Sequence, residues 1–156
     1  MAVPRGAGYD AVTMPPEPRH PPSTFSDLAK LPDDVRAEIV HGAIIEKASP
    51  SWAHGLAQAA LVSSLAPFMG RGGGSGPGGW WILTEVDVEY APHELFRHDA
   101  AGWRRARVSQ PPGRPVRLRP DWACEILSPS NERRDLVDKF RVLQQVGVPH
   151  YWLLHP

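Results

Sequence analysis

The chain has 156 residues, 42% hydrophobic and 22% charged, enough apolar material for one packed domain. Seventeen basic and seventeen acidic residues cancel to a formal net charge of zero, which argues against a strong nonspecific polyanion binder but allows a local basic face. The lone cysteine, Cys124, excludes an internal disulfide and fits a reducing cytoplasm. No signal peptide is legible, and the longest apolar-rich run, Leu56–Met69, is too short and too polar to span a membrane.

Residues 1–22 are rich in Pro, Gly and Ala and read as a disordered tail, with a single domain over 23–156. Ser26 is placed to cap a short helix around Asp27–Lys30, and Leu31–Asp34 begins a second helical turn. The apolar runs Ala37–Val40 and Ala43–Lys47 flank His41-Gly42, a pattern for a β-hairpin. From Trp52 to Phe68 the apolar positions recur at helical spacing, which predicts a helix with its apolar stripe on a sheet and His54 in its first turn. Gly70–Gly79 is a connector that lacks the order of a phosphate loop.

Trp80–Tyr90 is a strand in which Glu85, Asp87 and Glu89 alternate with valines, so the acids should share one face, at least two of them in solvent. Leu95–His98 is a brief strand running into Asp99, and 100–108 continues as an irregular or edge segment. Its Arg104, Arg105 and Arg107 read either as phosphate contacts or as a solvated edge. Trp122–Leu127 is a central strand broken by Ser128-Pro129-Ser130-Asn131. A helix follows from about Glu132 to Val146, with Leu136, Phe140 and Leu143 as its buried stripe and Gly147 as its stop. Val148–Leu154 is the last strand. Strand, helix and strand form a crossover unit, and the whole is a mixed α/β sheet flanked by helices.

The chemistry centres on Glu125, an acid inside an apolar strand. Ionised, it needs a metal or a cation, and both readings stay open on local sequence: a metal ligand, or a buried pair with Lys or Arg. Asp135 and Lys139 are four apart on the following helix, so they share a face, and Lys139 can reach the sheet end that carries Glu125. A second carboxylate would complete a site for Mg²⁺ (or Mn²⁺), which prefers oxygen ligands. Asp121 lies four positions away on the same strand, roughly 13 Å distant, too far to share an ion. Asp99, on another strand, can lie beside Glu125.

The segments RPDWACEILSPSNERRDLVDKF and GVPHYWLLHP resemble the Uma2 family of the PD-(D/E)xK restriction-endonuclease-like superfamily. The family's E-V-L-S-P-S strand corresponds to Glu125–Ser130, its D-x-x-x-K to Asp135 through Lys139, and its G-V-x-x-Y-W to Gly147-Val148 and Tyr151-Trp152. HDAAGWRR resembles the family's PD-x-A-G-W-R-R, which places its metal-binding aspartate on Asp99. AEIVHGAIIEKASPSWAH resembles its opening hairpin and helix, whose histidine falls on His54. The resemblance implies a Mg²⁺-dependent endonuclease acting on DNA, with Asp99 and Glu125 as metal ligands, Lys139 as the catalytic lysine and His54 and Asp135 in support. His98 stands where the family usually has proline. The family also continues past this point with further β structure, so the resemblance implies a sheet shortened at its C-terminal end, with an exposed edge. The competing hypothesis is a catalytically inactive nucleic-acid-binding or protein-interaction module on the same fold. DNA is the expected partner, and a homodimer is one assembly carried forward.

Overall fold

A computed structural model describes residues 21–70, 77–111 and 113–156. The tail expected over 1–22, except for Pro21 and Pro22, and most of the glycine connector lie outside them. Four residues, Phe25–Leu28, form α1. It starts earlier than Ser26 capping would place it, because the Asp27 carboxylate reaches back 3.0 Å to the backbone N–H of Thr24. The turn expected at Leu31–Asp34 does not become a helix.

Strands β1 (Ala37–Val40) and β2 (Ala43–Glu46) form the expected hairpin. His41 and Gly42 at its tip have φ of 51° and 78°, the left-handed pair that suits strand twist. Ser51 then accepts a hydrogen bond of 3.2 Å from the backbone of His54 and caps α2, Trp52–Leu65. The apolar stripe of α2 is only partly buried. Leu61 and Leu65 pack on Ile82, Ala100, Trp122 and Cys124, but Leu56 is exposed and Trp52 is 81% exposed. Its one buried side chain is His54.

Strand β3 (Trp80–Ala91) pairs antiparallel with β4 (Glu94–Arg104). Against expectation, β4 is continuous and central rather than a short strand with an irregular tail. Its Ala100, Ala101 and Gly102 are small enough for close sheet packing: a Cβ on Gly102 would sit 2.0 Å from the Trp122 indole nitrogen. Beyond it, Trp103 is fully buried and donates to the Leu118 carbonyl at 2.8 Å. The acids of β3 are not a solvated face either. Asp87 is buried between Arg97 (2.7 Å) and Arg114 (2.8 Å), Glu89 pairs with Arg117 at 2.8 Å, and Glu85 pairs with Arg36.

Strand β5 (Trp122–Ile126) joins β4 antiparallel, and β6 (Tyr151–Leu154) joins β5 in parallel. The strand order is β2-β1-β4-β5-β6, with β3 on the other edge of β4. One edge of β4 is therefore shared. Leu95 pairs with β1, residues 100–102 pair with β5, and the stretch between them, which carries His98 and Asp99, lies in the fork.

The connection from β5 to β6 opens with a π-helical segment, Arg134–Lys139, and continues as α3, Phe140–Gln145, before Gly147 at φ 72°. Its buried face is only partly the expected one. Leu143 is buried as expected, but Leu136 and Phe140 are 43% and 46% exposed, and Asp135, Lys139 and Val142 are covered instead. The charged side chains have partners at the sheet end, and the wider π turn brings them inward. Among the described residues, no helix is long and apolar enough to cross a membrane.

Candidate metal centre

The fork in the sheet brings together side chains from β1, the residue just past β2, α2, β3, β4, β5 and the π-helical segment. Extended by one residue, the β4–β5 register sets Asp99 opposite Glu125. The β3–β4 register, flanked by the Thr84–Ala100 and Val86–His98 pairs, sets Glu85 opposite Asp99 on the other side. Three carboxylates thus lie in a row across three strands. Like charges opposite one another destabilise a sheet, so cations must be near.

Two lysines supply them. Lys47, just past β2, places its amine 3.2 Å from Asp99 Oδ1 and 3.6 Å from Glu125 Oε2, and donates to the Arg97 carbonyl at 2.7 Å. Lys139 is completely buried, 2.8 Å from Glu38 Oε2 and 3.0 Å from both Glu125 Oε1 and Asp135 Oδ1. An ammonium has three donors, and here three carboxylates crowd around it. Arg134 adds a contact of 3.4 Å to Glu38.

Asp99 Oδ2 accepts the Ile126 backbone N–H at 2.7 Å, which fixes the carboxylate in the fork and turns Oδ1 toward Lys47 and His54. The His54 Nε2 stands 3.6 Å from Asp99 Oδ1. Glu125 Oε1 accepts from His98 Nδ1 at 2.7 Å, and the Tyr90 hydroxyl is 2.7 Å from His98 Nε2. Burial and the nearby Glu125 push the Tyr90 phenol well above its ordinary range, and the Glu125 carboxylate, which can only accept when ionised, takes the Nδ1–H of His98.

The local field sorts the acids. Burial opposes charge on Glu125, but Lys139 and Lys47 overcome it and hold the carboxyl well below the usual carboxylate range. Burial, reinforced by Glu125, raises Asp99. Asp135 is pushed up to about 7, first by burial and then by Glu125, with Lys139 opposing. Lys139 itself is held protonated against burial by Glu125, Glu38 and Asp135.

Asp135 therefore yields a pH prediction. Its folded pKa is raised above the unfolded one, so its contribution to stability is fully present below about 4 and is lost as pH rises through about 7. Urea unfolding of wild type and Asp135→Asn at several pH values should show the wild type losing ground to the variant across that window. Parallel curves would refute the assignment.

All five residues singled out in the sequence meet here: Asp99, Glu125, Lys139, His54 and Asp135. Asp121 stays apart, paired with Arg107 at 3.0 Å. The other arginines of that segment are also occupied by the fold: Arg105 donates to the Met69 and Trp80 carbonyls and lies over the Trp81 ring, and Arg104 lies over the Trp80 ring. Lys47, Glu38, His98 and Glu85 join the five at the site, and their local sequence does not mark them as site residues. A hint for Glu85 exists only in the backbone, where its φ of 50° is uncommon for a residue with a side chain.

The donors suit a hard divalent ion. Glu125 Oε2 and His54 Nε2 are buried and accept no hydrogen bond, and both flank Asp99. His54, Glu85 and Asp99 also offer ligand atoms within 4.8 Å of one another. Carboxylate oxygens with one imidazole fit Mg²⁺ or Mn²⁺. A cavity of about 250 Å³ opens beside them, lined by Arg36, Lys47, His54, Asp99, Ser128 and Arg134 among others. A larger groove of about 790 Å³ reaches only Glu85 of this group and runs under α1.

The family model described as "Uma2: Putative restriction endonuclease" matches residues 22–156. Among solved structures, one described as a "putative nuclease belonging to DUF820 from Anabaena variabilis" aligns with a TM-score of 0.67 at 23% identity, covering 86% of this chain and 75% of that one. At this identity the likeness establishes a shared α/β fold. No curated protein matches the chain.

Proposed function

Since the chain belongs to the Uma2 family, whose model spans residues 22–156, we propose that it is a divalent-metal-dependent endonuclease that hydrolyses DNA phosphodiester bonds. One observation supports this most: Asp99 and Glu125, far apart in sequence, approach a single cation position, and Glu125 Oε2 beside it is buried without a hydrogen bond. Asp99 and Glu125 would hold the ion, with His54 as a third donor. When bound, such an ion activates water and offsets charge on the phosphate.

The chain's own residues do the positioning. The Ile126 N–H orients Asp99, and His98 with Lys139 fixes Glu125 in its ionised form. Lys139 has no exposed surface and acts through Glu125 rather than on substrate. Arg36, Arg134 and Ser128 line the open side of the site, where a phosphate would lie. We place this activity on residues 23–156, in a cytoplasm that keeps Cys124 a thiol.

The test is cleavage of supercoiled plasmid with Mg²⁺ or Mn²⁺. Wild type should nick it, excess EDTA should stop the reaction, and Asp99→Asn should be inactive with metal present. The second reading, a DNA- or protein-binding module without cleavage, is favoured by the Lys47 ammonium between the carboxylates. Nicking that is absent, or equal in Asp99→Asn, would select that module.

A further inference from the structure

Lys47 and Lys139 both touch Glu125, yet they are held differently. Lys139 has carboxylates within 3.0 Å on three sides and no exposed surface, so nothing can displace it without stranding buried charge. Lys47 makes its tight contact, 2.7 Å, with the Arg97 carbonyl. Its distances to Asp99 and Glu125, 3.2 and 3.6 Å, exceed the usual length of a charge-assisted hydrogen bond. Its side chain lies on the wall of the 250 Å³ cavity, which gives the amine somewhere to move.

We infer that Lys47 is a tethered counter-cation for the Asp99–Glu125 pair, and that a divalent ion enters the site only by displacing it; this inference rests on the metal-site reading above. Asp99 and Glu125, the residues that would hold the ion, are the two carboxylates that the ammonium now lies between. Between Asp99 and Glu125 the lysine places one positive charge where a divalent ion would place two. Glu125 Oε2 accepts no hydrogen bond from Lys47 or any other described donor, and His54 Nε2, 3.6 Å from Asp99 Oδ1, makes none either. Ligand atoms are thus left over after the lysine has done what it can. The hairpin supports the same role. The Lys47 backbone N–H bonds the Arg36 carbonyl at 2.7 Å, so the main chain stays pinned while the side chain swings.

The experiment is a calorimetric titration of the full chain with Mn²⁺, wild type against Lys47→Met, with thermal unfolding of each at saturating Mn²⁺. The variant should be less stable without metal, bind Mn²⁺ about tenfold or more tighter, and gain more melting temperature from the ion. Equal or weaker binding by a variant with native circular dichroism would overturn the inference and leave the metal site standing. No Mn²⁺ binding by either protein would remove the metal site, and the inference with it. Should Lys47→Met not fold, acetic anhydride labelling of wild type decides the matter. Lys47 should be protected without metal and should label faster with saturating Mn²⁺; unchanged labelling would overturn the proposal.

Discussion

Lys139→Met is expected to lower the free energy of unfolding by about 3–5 kcal/mol, read from urea or thermal melts at neutral pH. Methionine fills similar volume, so the loss isolates the charge. Without the ammonium, Asp135 has no cation within 4.0 Å among the described residues, and Glu38 keeps only the 3.4 Å contact with Arg134. Glu125 keeps His98 and the more distant Lys47. Three carboxylates in a sealed site must then either remain charged with too few partners or take up protons. Protonation is the cheaper route, so the deficit should shrink as the pH is lowered. The effect belongs to breaking the cluster; replacing the whole set by well-packed apolar residues could be nearly neutral. A loss below about 1 kcal/mol, the range of exposed ion pairs, would show that water reaches Lys139.

What the sequence could disclose followed from local contrast. Glu125 stood out as an acid among apolar neighbours, and the four-residue spacing of Asp135 and Lys139 promised a shared face. Both readings match the geometry, and the α/β sheet with its parallel β5–β6 pair follows from the same stretch. The hairpin turn was legible because His41-Gly42 is a local signal. Asp99 is a candidate already because it lies on another strand that can run beside Glu125, and the family resemblance singles it out; nothing local says that position 99 falls opposite position 125.

The missed residues share a cause. Glu38 meets Lys139 across 101 positions of chain and Lys47 meets Asp99 across 52, so neither contact leaves a periodic trace. The helix face was misjudged for a related reason. Periodicity assigns Leu136 and Phe140 to the core, but buried partners for Asp135 and Lys139 outweigh two leucine-sized side chains, and the π-helical turn makes that choice geometrically available. The acids of β3 looked solvated because the arginines that neutralise them lie on other segments. His98, which stands where the family usually has proline, joins Tyr90 to Glu125 and helps set the orientation of the carboxylate.

Glu125→Gln is expected to reduce plasmid cleavage by about a thousandfold or more, because the several kcal/mol of charge stabilisation that a bound divalent ion provides depends on its ligands. The change keeps the shape of the side chain and removes one charge and one acceptor lone-pair set. His98 Nδ1 can still donate to the remaining carbonyl oxygen, and Lys139 retains Glu38 and Asp135. The fold should therefore survive, with circular dichroism unchanged. Oε2, the oxygen without a hydrogen bond, becomes an amide nitrogen or swaps with it; either way one arm of the site turns from acceptor to donor or loses its negative charge. Mn²⁺ should accordingly raise the melting temperature of wild type and leave that of Glu125→Gln nearly unmoved. Cleavage within tenfold of wild type, together with an undiminished Mn²⁺ shift, would place the ion elsewhere, most naturally between His54, Glu85 and Asp99, where the same strands set a second group of ligand atoms within reach of one another.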